Sequence, residues 1–327
     1  MRDVSKESVA DLLKTRDAML RAIRRFFFDR AFVEVETAYL ARSAPCDPYI
    51  EPLTVFVGDS SPYYLHTSPE VGMKKALASG LDRIFQICKV FRVEELEEVH
   101  SVEFTMLEWY SPGTYVEAIE GTRDLVRSVS GSLGGQARHY IEGTWKTLEL
   151  RQLFLDATGI DPFPLTADVL LSRMKERGFG GLSEKETWED LFFKLFIQEV
   201  EPRVHGKEKG PCFIKDWPAS LTAMAKRKDP YTVERFELYL KGIEIANGYT
   251  ELLDAEEQRS RSIVDQRKRE SLGKEVFPLD EEFLEALPRI PGPMAGVSIG
   301  LDRLLMVLLD KEAIDDVLPD RLRLRQE

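Results

Sequence analysis

Two short segments that lie far apart in the sequence each carry an arginine beside acidic or small residues. The first begins Phe91-Arg92-Val93-Glu94-Glu95 and continues to Tyr110, and the second is Gly296-Val297-Ser298-Ile299-Gly300-Leu301-Asp302-Arg303. A guanidinium group pairs with phosphate oxygens through two parallel hydrogen bonds and stays charged in any environment. A fold that brings Arg92 and Arg303 together would therefore form a site for a phosphorylated ligand.

Composition limits the class of protein. The 327 residues suffice for one large domain or two smaller ones, and an apolar fraction of 43% allows a sizeable core. No run of about 18 apolar residues predicts a membrane span, and the charged N-terminal stretch lacks the apolar centre of a signal peptide. The three cysteines have no metal-binding spacing. We therefore expect a reduced, cytoplasmic protein without membrane contact.

The net charge of −12 argues against extensive contact with nucleic acid. Binding along a phosphate backbone requires a broad basic surface, whereas the basic residues here include only short runs such as 226–228 and 267–269. Each run taken alone is typical of a solvated helix face. We therefore expect that tRNA is not a partner.

Helical periodicity recurs in several segments. They cover residues 11–29, 114–130, 149–200, 256–271 and 304–309. Ser68 and Pro69 precede another apolar-periodic run, so we predict that Ser68 caps a helix in which Pro69 is the first helical residue. A glycine-rich break is expected at Gly131–Gly135.

Strand-like patterns alternate with these helices. They occur at residues 32–35, 53–57, 84–92, 103–110, 236–246, 249–253 and 295–300. We predict that 84–92 and 103–110 form an antiparallel pair, and that Asn247-Gly248 forms a hairpin turn. Because βαβ regularity is missing, the pattern predicts an α+β fold with a central antiparallel sheet flanked by helices. We expect a single domain over 1–327, with a helical insertion at roughly 151–230.

Four side chains near the predicted strand ends are candidates for binding ATP. Arg92 ends an apolar strand, where a charge is costly without a partner, although pairing with Glu94 or solvent would explain it equally simply. Phe104 could stack on a purine with Arg303 on the other side of the ring. A single aromatic residue is, however, more often part of a core. Glu94 could accept a hydrogen bond from an adenine amino group, or be a surface acid.

Small residues alternate along the last predicted strand. Gly296, Ser298 and Gly300 would share one face, which lets a ligand lie against the backbone. Tight packing between strands is the alternative explanation. The Asp302-Arg303 pair that follows favours the ligand-binding interpretation.

Acidic residues form two further sets. Glu237, Glu244 and Glu251 recur at intervals of seven, and carboxylates of this kind suit Mg²⁺ that is also bound by ATP phosphates. Exposed acids on an edge strand are the alternative. Glu70, Glu108 and Glu251 could bind both amino groups of a diamine-bearing amino acid, although a buried ion pair explains Glu108 equally well. The four histidines show no metal spacing.

Several segments together resemble the catalytic domain of class II lysyl-tRNA synthetases and, more closely, their short paralogues, the elongation factor P–(R)-β-lysine ligases. In chain order they are 32–37, 67–70, 91–95, 103–110, 234–237, 242–248, 251–252 and 300–303. The likeness runs from the helix near residue 11 to at least Leu309 and implies a class II synthetase fold. Only about ten residues precede that helix, so we expect no N-terminal anticodon-binding domain of the OB type.

The resemblance implies a role for each candidate residue. Arg92 and Arg303 would be the catalytic residues, and Glu237 and Glu244 would bind Mg²⁺. The ATP site would comprise Arg92, Val93, Glu94, His100, Ser101, Phe104, Glu244, Ile245, Gly300 and Arg303. The amino-acid pocket would comprise Ser68, Pro69, Glu70, Glu108, Tyr110, Asn247, Glu251 and Ser298.

The chain also departs from the family pattern. Ala31 and Ala38 replace a usual glycine and proline in the segment that forms the dimer interface of relatives, where we still expect a homodimer. Val93 and Ser101 replace two usual asparagines. Ser298 stands where the synthetases have glycine and the paralogues commonly alanine. Its added bulk should crowd an α-amino group, which a β-amino acid avoids.

The resemblance implies a reaction in two steps. ATP and (R)-β-lysine, or lysine, would form an aminoacyl-adenylate, which a lysine side chain of elongation factor P would then attack. Positioning and charge neutralisation by Arg92, Arg303 and Mg²⁺ would supply the catalysis. Two alternatives stay open. One is a stand-alone enzyme that charges tRNA or another acceptor, and the other is a degenerate, non-catalytic paralogue that binds a lysine-like ligand.

Overall fold

A computed structural model describes residues 8–58, 61–93, 98–135, 138–204 and 210–318. Its α-helices are α1 Val9–Phe28, α2 Glu70–Leu77, α3 Tyr115–Leu133, α4 Arg138–Glu142, α5 Leu150–Thr158, α6 Ala167–Glu176, α7 Trp188–Leu195, α8 Glu201–Val204, α9 Ala255–Ser271, α10 Glu281–Ala286 and α11 Leu301–Leu308. Its strands are β1 Val33–Glu34, β2 Leu40–Ala41, β3 Thr54–Val55, β4 Tyr63–Leu65, β5 Ile84–Phe91, β6 Glu103–Pro112, β7 Lys146–Glu149, β8 Cys212–Pro218, β9 Thr232–Leu240, β10 Ile243–Thr250 and β11 Met294–Gly300.

An eight-stranded sheet forms the centre of the molecule, in the order β1-β5-β6-β11-β10-β9-β8-β7. The inner strands pair antiparallel, whereas β1 joins β5 and β7 joins β8 in parallel at the two edges. A second sheet of three strands has the order β2-β4-β3. The predicted α+β fold with a central, mainly antiparallel sheet flanked by helices is therefore confirmed.

Strand pairing brings the two arginine-bearing segments together. The predicted antiparallel pair of β5 and β6 is confirmed. Ile84 lies opposite Tyr110 at one end of the pair, and Phe91 lies opposite Glu103 at the other. On its other side β6 pairs with β11, so that Glu108 lies opposite Ser298 and Met106 opposite Gly300. The C-terminal end of β5 and the start of α11 consequently lie near each other, at the same end of these paired strands.

The hairpin between β9 and β10 turns at a different place from the one predicted. Lys241 and Gly242 form the turn, with φ angles of 51° and 87°, while Asn247 and Gly248 lie inside β10. A Cβ at Gly248 would lie 2.7 Å from the Phe236 ring. This glycine therefore permits close strand packing, and the prediction of a turn there was wrong.

Most of the helical region predicted after residue 149 is present as α5 to α8, with a π-helical turn at Phe196–Val200. Its aromatic core packs on the sheet through Ile214 and Trp217 of β8. β8 belongs to the central sheet, so Cys212–Pro218 interrupts the helical insertion that was predicted to reach about 230. The last α-helix described before β8 is α8. The strands β7 and β8 were not predicted.

Two helix boundaries also differ from prediction. Pro69 lies at the N-cap of α2, one position before the first helical residue, although Ser68 Oγ does accept a hydrogen bond of 3.0 Å from the Glu70 backbone N–H. Gly131 lies within α3, and the break comes at Gly134, where φ is 67°. Within the described ranges no helix combines the length and apolarity required to cross a bilayer.

Candidate functional site

A row of directly paired residues crosses the sheet and forms the floor of the candidate site. Glu108 of β6 lies opposite Ser298 of β11. Ser298 in turn lies opposite Asn247 of β10, and Asn247 lies opposite Glu237 of β9. Residues opposite each other on neighbouring strands project from the same face. Four predicted site residues from four chain segments are thus brought to one surface.

The first cavity above this floor, here called the arginine cavity, has a volume of about 110 Å³. Its lining includes Arg92, His100, Ser101, Phe104, Glu244, Ile245, Asn247, Ser298, Gly300 and Arg303. Val93 is not part of the lining, since its backbone N–H donates to the Glu51 carbonyl and its side chain is 53% exposed. Glu94 lies outside the described residues. The cavity thus gathers eight of the ten predicted ATP-binding residues.

Backbone carbonyls orient both guanidinium groups of this cavity. Arg92 Nε donates to the Thr67 carbonyl at 3.1 Å. Arg303 donates to the carbonyls of Val99 and Glu244, both at 3.1 Å. The guanidinium carbon of Arg92 lies 5.3 Å from the centroid of the Phe104 ring. Arg92 is thus the cation next to this aromatic ring. That Arg303 covers the other face of a purine stacked on Phe104 stays a prediction.

Asp302 fixes the position of the helix that carries Arg303. It is buried, and its carboxylate accepts hydrogen bonds from Arg16 Nη1 of α1 and from the Thr105 backbone N–H of β6, each at 2.6 Å. A buried carboxylate with a cationic partner and a backbone donor is well compensated. Asp302 therefore acts mainly as a structural support for Arg303.

The two glycines of β11 have different surroundings. A Cβ at Gly300 would meet only Arg303 Cδ, at 4.0 Å, so any side chain there would extend into the open arginine cavity. A Cβ at Gly296 would overlap the Glu251 carboxylate and lie 2.5 Å from Tyr110 Cε1. Gly300 thus leaves room for a ligand, and Gly296 leaves room for the protein's own side chains.

A second cavity of about 410 Å³, here called the acidic cavity, adjoins the first. Residues lining both are Arg92, Glu244, Asn247 and Ser298. The predicted pocket residues in its lining are Ser68, Glu70, Glu108, Tyr110, Asn247, Glu251 and Ser298. Pro69 does not line it and instead sets the start of α2. The predicted amino-acid pocket is therefore assembled beside the predicted ATP site.

Hydrogen bonds hold the carboxylates of the acidic cavity in place. Glu108 accepts from Ser68 Oγ at 2.9 Å and from the Tyr110 hydroxyl at 2.6 Å. Glu70 accepts from the Tyr249 hydroxyl at 2.5 Å. These neutral donors fix the orientation of the acids but supply no compensating charge.

A buried lysine that the sequence analysis missed lies among these acids. Lys74 is 0% exposed, and its Nζ lies 2.6 Å from Glu70 and 2.5 Å from Glu251. Burial alone would lower the pKa of Lys74, but the charges of Glu251 and Glu70 together raise it above its usual value. Lysine four residues after Glu70 on an apolar helix was the sequence signal that could have identified it.

The acidic cavity contains more negative than positive charge. Burial, together with the charge of Glu70, raises the pKa of Glu108 to about 7. Burial also raises the pKa of Glu251 to about 8, although Lys74 opposes the shift. Lys74 Nζ lies 2.5 Å from Glu251 Oε2, whereas Glu251 Oε1 is buried without a hydrogen-bond partner among the described residues. A bound ammonium group would supply both the missing charge and the missing donors.

The predicted metal ligands lie where the two cavities meet. Glu237 accepts from Arg235 Nη2 at 2.6 Å and from the Tyr239 hydroxyl at 2.5 Å. Burial and the nearby charge of Glu244 raise the pKa of Glu237 to about 8, so this pair of acids would be stabilised by a cation. Across the described ranges no three His, Cys, Asp or Glu side chains are grouped to hold a metal. Mg²⁺ would therefore fit only with phosphate oxygens completing its coordination.

Arg235 was also missed from the sequence. Besides Glu237 it donates to Asn247 Oδ1 at 3.0 Å and to Thr222 Oγ1 at 3.1 Å. It thereby fixes the side-chain amide of Asn247, which lines both cavities. Its position two residues before Glu237 in the sequence gave no indication that it orients Asn247.

Comparisons with known proteins extend over almost the whole chain. The profile of the family described as tRNA synthetases class II (D, K and N) matches residues 1–319. The elongation factor P–(R)-β-lysine ligases of Pectobacterium atrosepticum and Erwinia tasmaniensis are each 39% identical over 320 residues, which cover 95% of this chain and 94% of the relative. The ligase of the same name from Pseudoalteromonas translucida is 37% identical over 318 residues, 94% of each chain.

Proposed function

This chain belongs to the class II tRNA synthetases (D, K and N), and on that premise we propose that it activates (R)-β-lysine or lysine and transfers it to elongation factor P. Membership makes it an ATP-dependent amino-acid ligase with the class II catalytic fold. One observation carries the finer proposal. A cavity with two fixed arginines adjoins a cavity in which Glu70, Glu108 and Glu251 lie together with one buried lysine, Lys74, as a partner of two of them. The two cavities share four lining residues.

In the first step, the arginine cavity binds ATP. A carboxylate oxygen of the amino acid attacks the α-phosphorus, and the bond from that phosphorus to the pyrophosphate oxygen breaks. Arg92 and Arg303 stabilise the negative charge on the phosphates, because their guanidinium groups are already held in place by main-chain carbonyls. Phe104 provides an aromatic surface for the adenine. Mg²⁺, bound by Glu244 and Glu237 with the phosphates, would neutralise further phosphate charge.

The acidic cavity selects an amino acid with two amino groups. Glu251 and Glu108 lie where a cation would relieve the cost of burying their charges. Ser298 stands directly opposite both Glu108 and Asn247, at the wall common to the two cavities. Its side chain would crowd the α-amino group of a bound lysine, which supports (R)-β-lysine over lysine as the preferred substrate.

In the second step, the acceptor amine nitrogen attacks the carbonyl carbon of the adenylate. The bond from that carbon to the AMP oxygen breaks, and the amine releases its surplus proton to solvent. The reaction requires positioning and charge stabilisation, and no side chain forms a covalent intermediate. The names of the relatives support a lysine side chain of elongation factor P as the acceptor.

Exchange of labelled pyrophosphate into ATP tests the first step. We expect exchange with (R)-β-lysine, weaker exchange with lysine, and none with leucine, which lacks the second amino group. Mass spectrometry of elongation factor P after incubation tests the second step, and a parallel assay measures charging of tRNA. Charging of tRNA without modification of elongation factor P would favour the synthetase-like alternative. Absence of exchange with both lysines would contradict the proposal.

We also propose that the protein is a homodimer formed through α1 and β1. Phe28 and Val33 are large apolar side chains exposed on these elements. Between them Ala31 adopts a φ of 59°, a conformation that favours the glycine usual in the family. Light scattering coupled to size-exclusion chromatography should give twice the chain mass, and Val33→Glu should reduce it to the monomer value.

A further inference from the structure

The acidic cavity extends beyond the residues that the proposed reaction uses. Its outer part is lined by Asp47 and by one face of α9, on which Gln258, Ser262 and Asp265 all reach the cavity. These three positions are spaced four and then three residues apart, which puts them on one side of a helix. From Gln258 to Asp265 the helix rises by about 10 Å. A polar wall therefore runs outward from the amino-acid pocket.

Gln258 has an unused hydrogen-bond acceptor in this wall. The side chain is 0% exposed, and its Nε2 donates to Ser262 Oγ at 3.3 Å. Its Oε1 is buried without a hydrogen-bond partner in the described parts of the chain. An unpaired buried acceptor is costly unless a ligand supplies a donor. The amide oxygen therefore indicates that a donor-bearing ligand group passes this point.

Asp265 and Asp47 lie farther out along the same wall. Asp47 is held by the backbone N–H groups of Tyr49 at 2.7 Å and Ile50 at 3.1 Å. Asp265 makes no hydrogen bond or ion pair with any described residue. Burial and the charge of Asp47 raise the pKa of Asp265 to about 7. The two acids thus lie near each other without a cation between them.

The cations nearest to Asp265 are engaged elsewhere. Lys268 pairs with Glu189. Arg261 donates through Nη1 and Nη2 to the carbonyl of Ala225 and to Glu257, and its buried Nε has no hydrogen-bond partner among the described residues. Lys268 and Arg261 lower the pKa of Asp265, and Glu189 raises it, but neither cation makes direct contact. Burial raises the pKa of the neighbouring Cys46 thiol to about 11, so this thiol is neutral. No described cation therefore makes an ion pair with Asp265, and a ligand ammonium group would supply one.

We propose that Gln258, Asp265 and Asp47 form a subsite for the ammonium group of the acceptor lysine. The acceptor side chain enters along α9, and its ammonium group pairs with Asp265 and Asp47. It then loses one proton to solvent, and the neutral amine passes Gln258 toward the adenylate. A lysine side chain, long and tipped by three donors, matches a narrow polar wall that offers acceptors in succession. The inference rests on the proposed function, because it assigns the route of that reaction's second substrate.

Asp265→Asn tests the subsite, because it keeps the shape and removes the charge. The KM for full-length elongation factor P should rise about tenfold or more, the loss expected for one charge-assisted hydrogen bond. ATP–pyrophosphate exchange should stay within about twofold of wild type, since the change lies outside the amino-acid pocket. Glu270→Gln is the matched control. It removes one carboxylate from an exposed position on the same helix, outside the lining of the acidic cavity.

Two further measurements make the test specific. Gln258→Met should raise the KM for the acceptor and leave exchange unchanged, because it removes the amide oxygen at similar volume. Nα-acetyl-lysine amide, used as a small acceptor, should show the same loss in Asp265→Asn, which separates the subsite from any protein–protein contact. An unchanged acceptor KM in both variants, or a parallel loss of exchange, would overturn the subsite. A wild-type enzyme without exchange would instead contradict the proposed function.

Discussion

The arginine cavity and the acidic cavity adjoin, but they stabilise their charges by different means. In the arginine cavity the guanidinium groups of Arg92 and Arg303 are bonded to main-chain carbonyls. In the acidic cavity the carboxylates of Glu70 and Glu251 depend on the single ammonium group of Lys74. A main-chain carbonyl remains in place when a side chain is changed, whereas a side-chain cation does not.

The comparison indicates which changes affect function alone and which also affect the fold. Removal of either arginine leaves neutral carbonyls that water in an open cavity can satisfy. Removal of Lys74 leaves two acids without compensation in a buried place. Substitutions in the arginine cavity should therefore reduce activity with little change in stability, whereas substitution of Lys74 beside the acidic cavity should reduce stability.

The largest expected effect is the loss of stability in Lys74→Met. Removing one partner of a buried ion pair costs about 3–5 kcal/mol, because the remaining charges are uncompensated. Urea unfolding should show this decrease in the free energy of unfolding. Lys75→Met is the control, since Lys75 pairs with Asp280 and Glu282 at partly exposed positions and should cost about 1 kcal/mol or less. Equal losses of stability in the two variants would contradict the view that the buried ion pairs of Lys74 stabilise the fold more than an exposed pair does.

Arg92→Ala should have the opposite effect, with a large loss of activity and little loss of stability. We expect a decrease of about 10²–10³ in the rate of ATP–pyrophosphate exchange, as for the loss of one preorganised electrostatic contact, with little change in unfolding. Lys89→Ala, on the same strand, removes a cation whose ion pair with Glu103 is largely solvent-exposed and should leave exchange unchanged. Loss of ATP binding by calorimetry in Arg92→Ala would also count against the non-catalytic alternative.

The two glycines of β11 allow a sharper comparison within one strand. Gly296→Ala should displace Glu251 and Tyr110, and we expect the KM for lysine to rise about tenfold, with a loss of about 1–3 kcal/mol in stability. Gly300→Ala meets no such obstacle, so stability should be retained and the KM for ATP should change instead. Steady-state kinetics with each substrate varied in turn would distinguish these results. The same KM pattern in both variants would contradict the assignment of separate cavities.

The remaining expected effect is the pH dependence of stability. The pKa values of Glu108 and Glu251 lie at about 7 and about 8 in the folded protein, above their usual 4.5. The folded state therefore holds protons that the unfolded state has released, and stability should fall as pH rises from about 5 through 8. The slope is at most about 1.4 kcal/mol per pH unit for each group. Urea midpoints at several pH values should show a shallower slope in Glu108→Gln, and a slope identical to wild type would refute this explanation.

The sequence predicted which residues come together in the site better than it predicted the hydrogen bonds and ion pairs between them. Arg92 and Arg303 could be assigned to one site because each follows a recognisable strand in a segment that resembles the synthetase family. The structure brings the two segments together through the pairing of β6 with β11. The acids could be grouped because carboxylates in apolar segments require a common cation. Such arguments concern residue types and patterns, which the sequence states directly.

The errors arose where the partner of a residue depends on tertiary packing. Asn247-Gly248 is a strong hairpin signal, but the Phe236 ring and the Gly296 carbonyl crowd Gly248, so the glycine is required inside a strand. Lys74 and Arg235 belong to the site through residues distant in sequence, Glu251 and Asn247 respectively. Periodicity gives the face of a helix or strand but not the element that covers it.

The hydrogen bonds of Asp302 connect the first helix to the arginine cavity, although no residue of that helix lines the cavity. Arg16 of α1 donates to the Asp302 carboxylate, which also accepts from the Thr105 backbone N–H. Asp302 directly precedes Arg303 in the sequence, so the position of Arg303 depends on these bonds. Loss of α1 would leave Asp302 buried without its cation and would loosen the start of α11. Fragments that begin after α1 should therefore fail to bind nucleotide even when every residue lining the arginine cavity is retained.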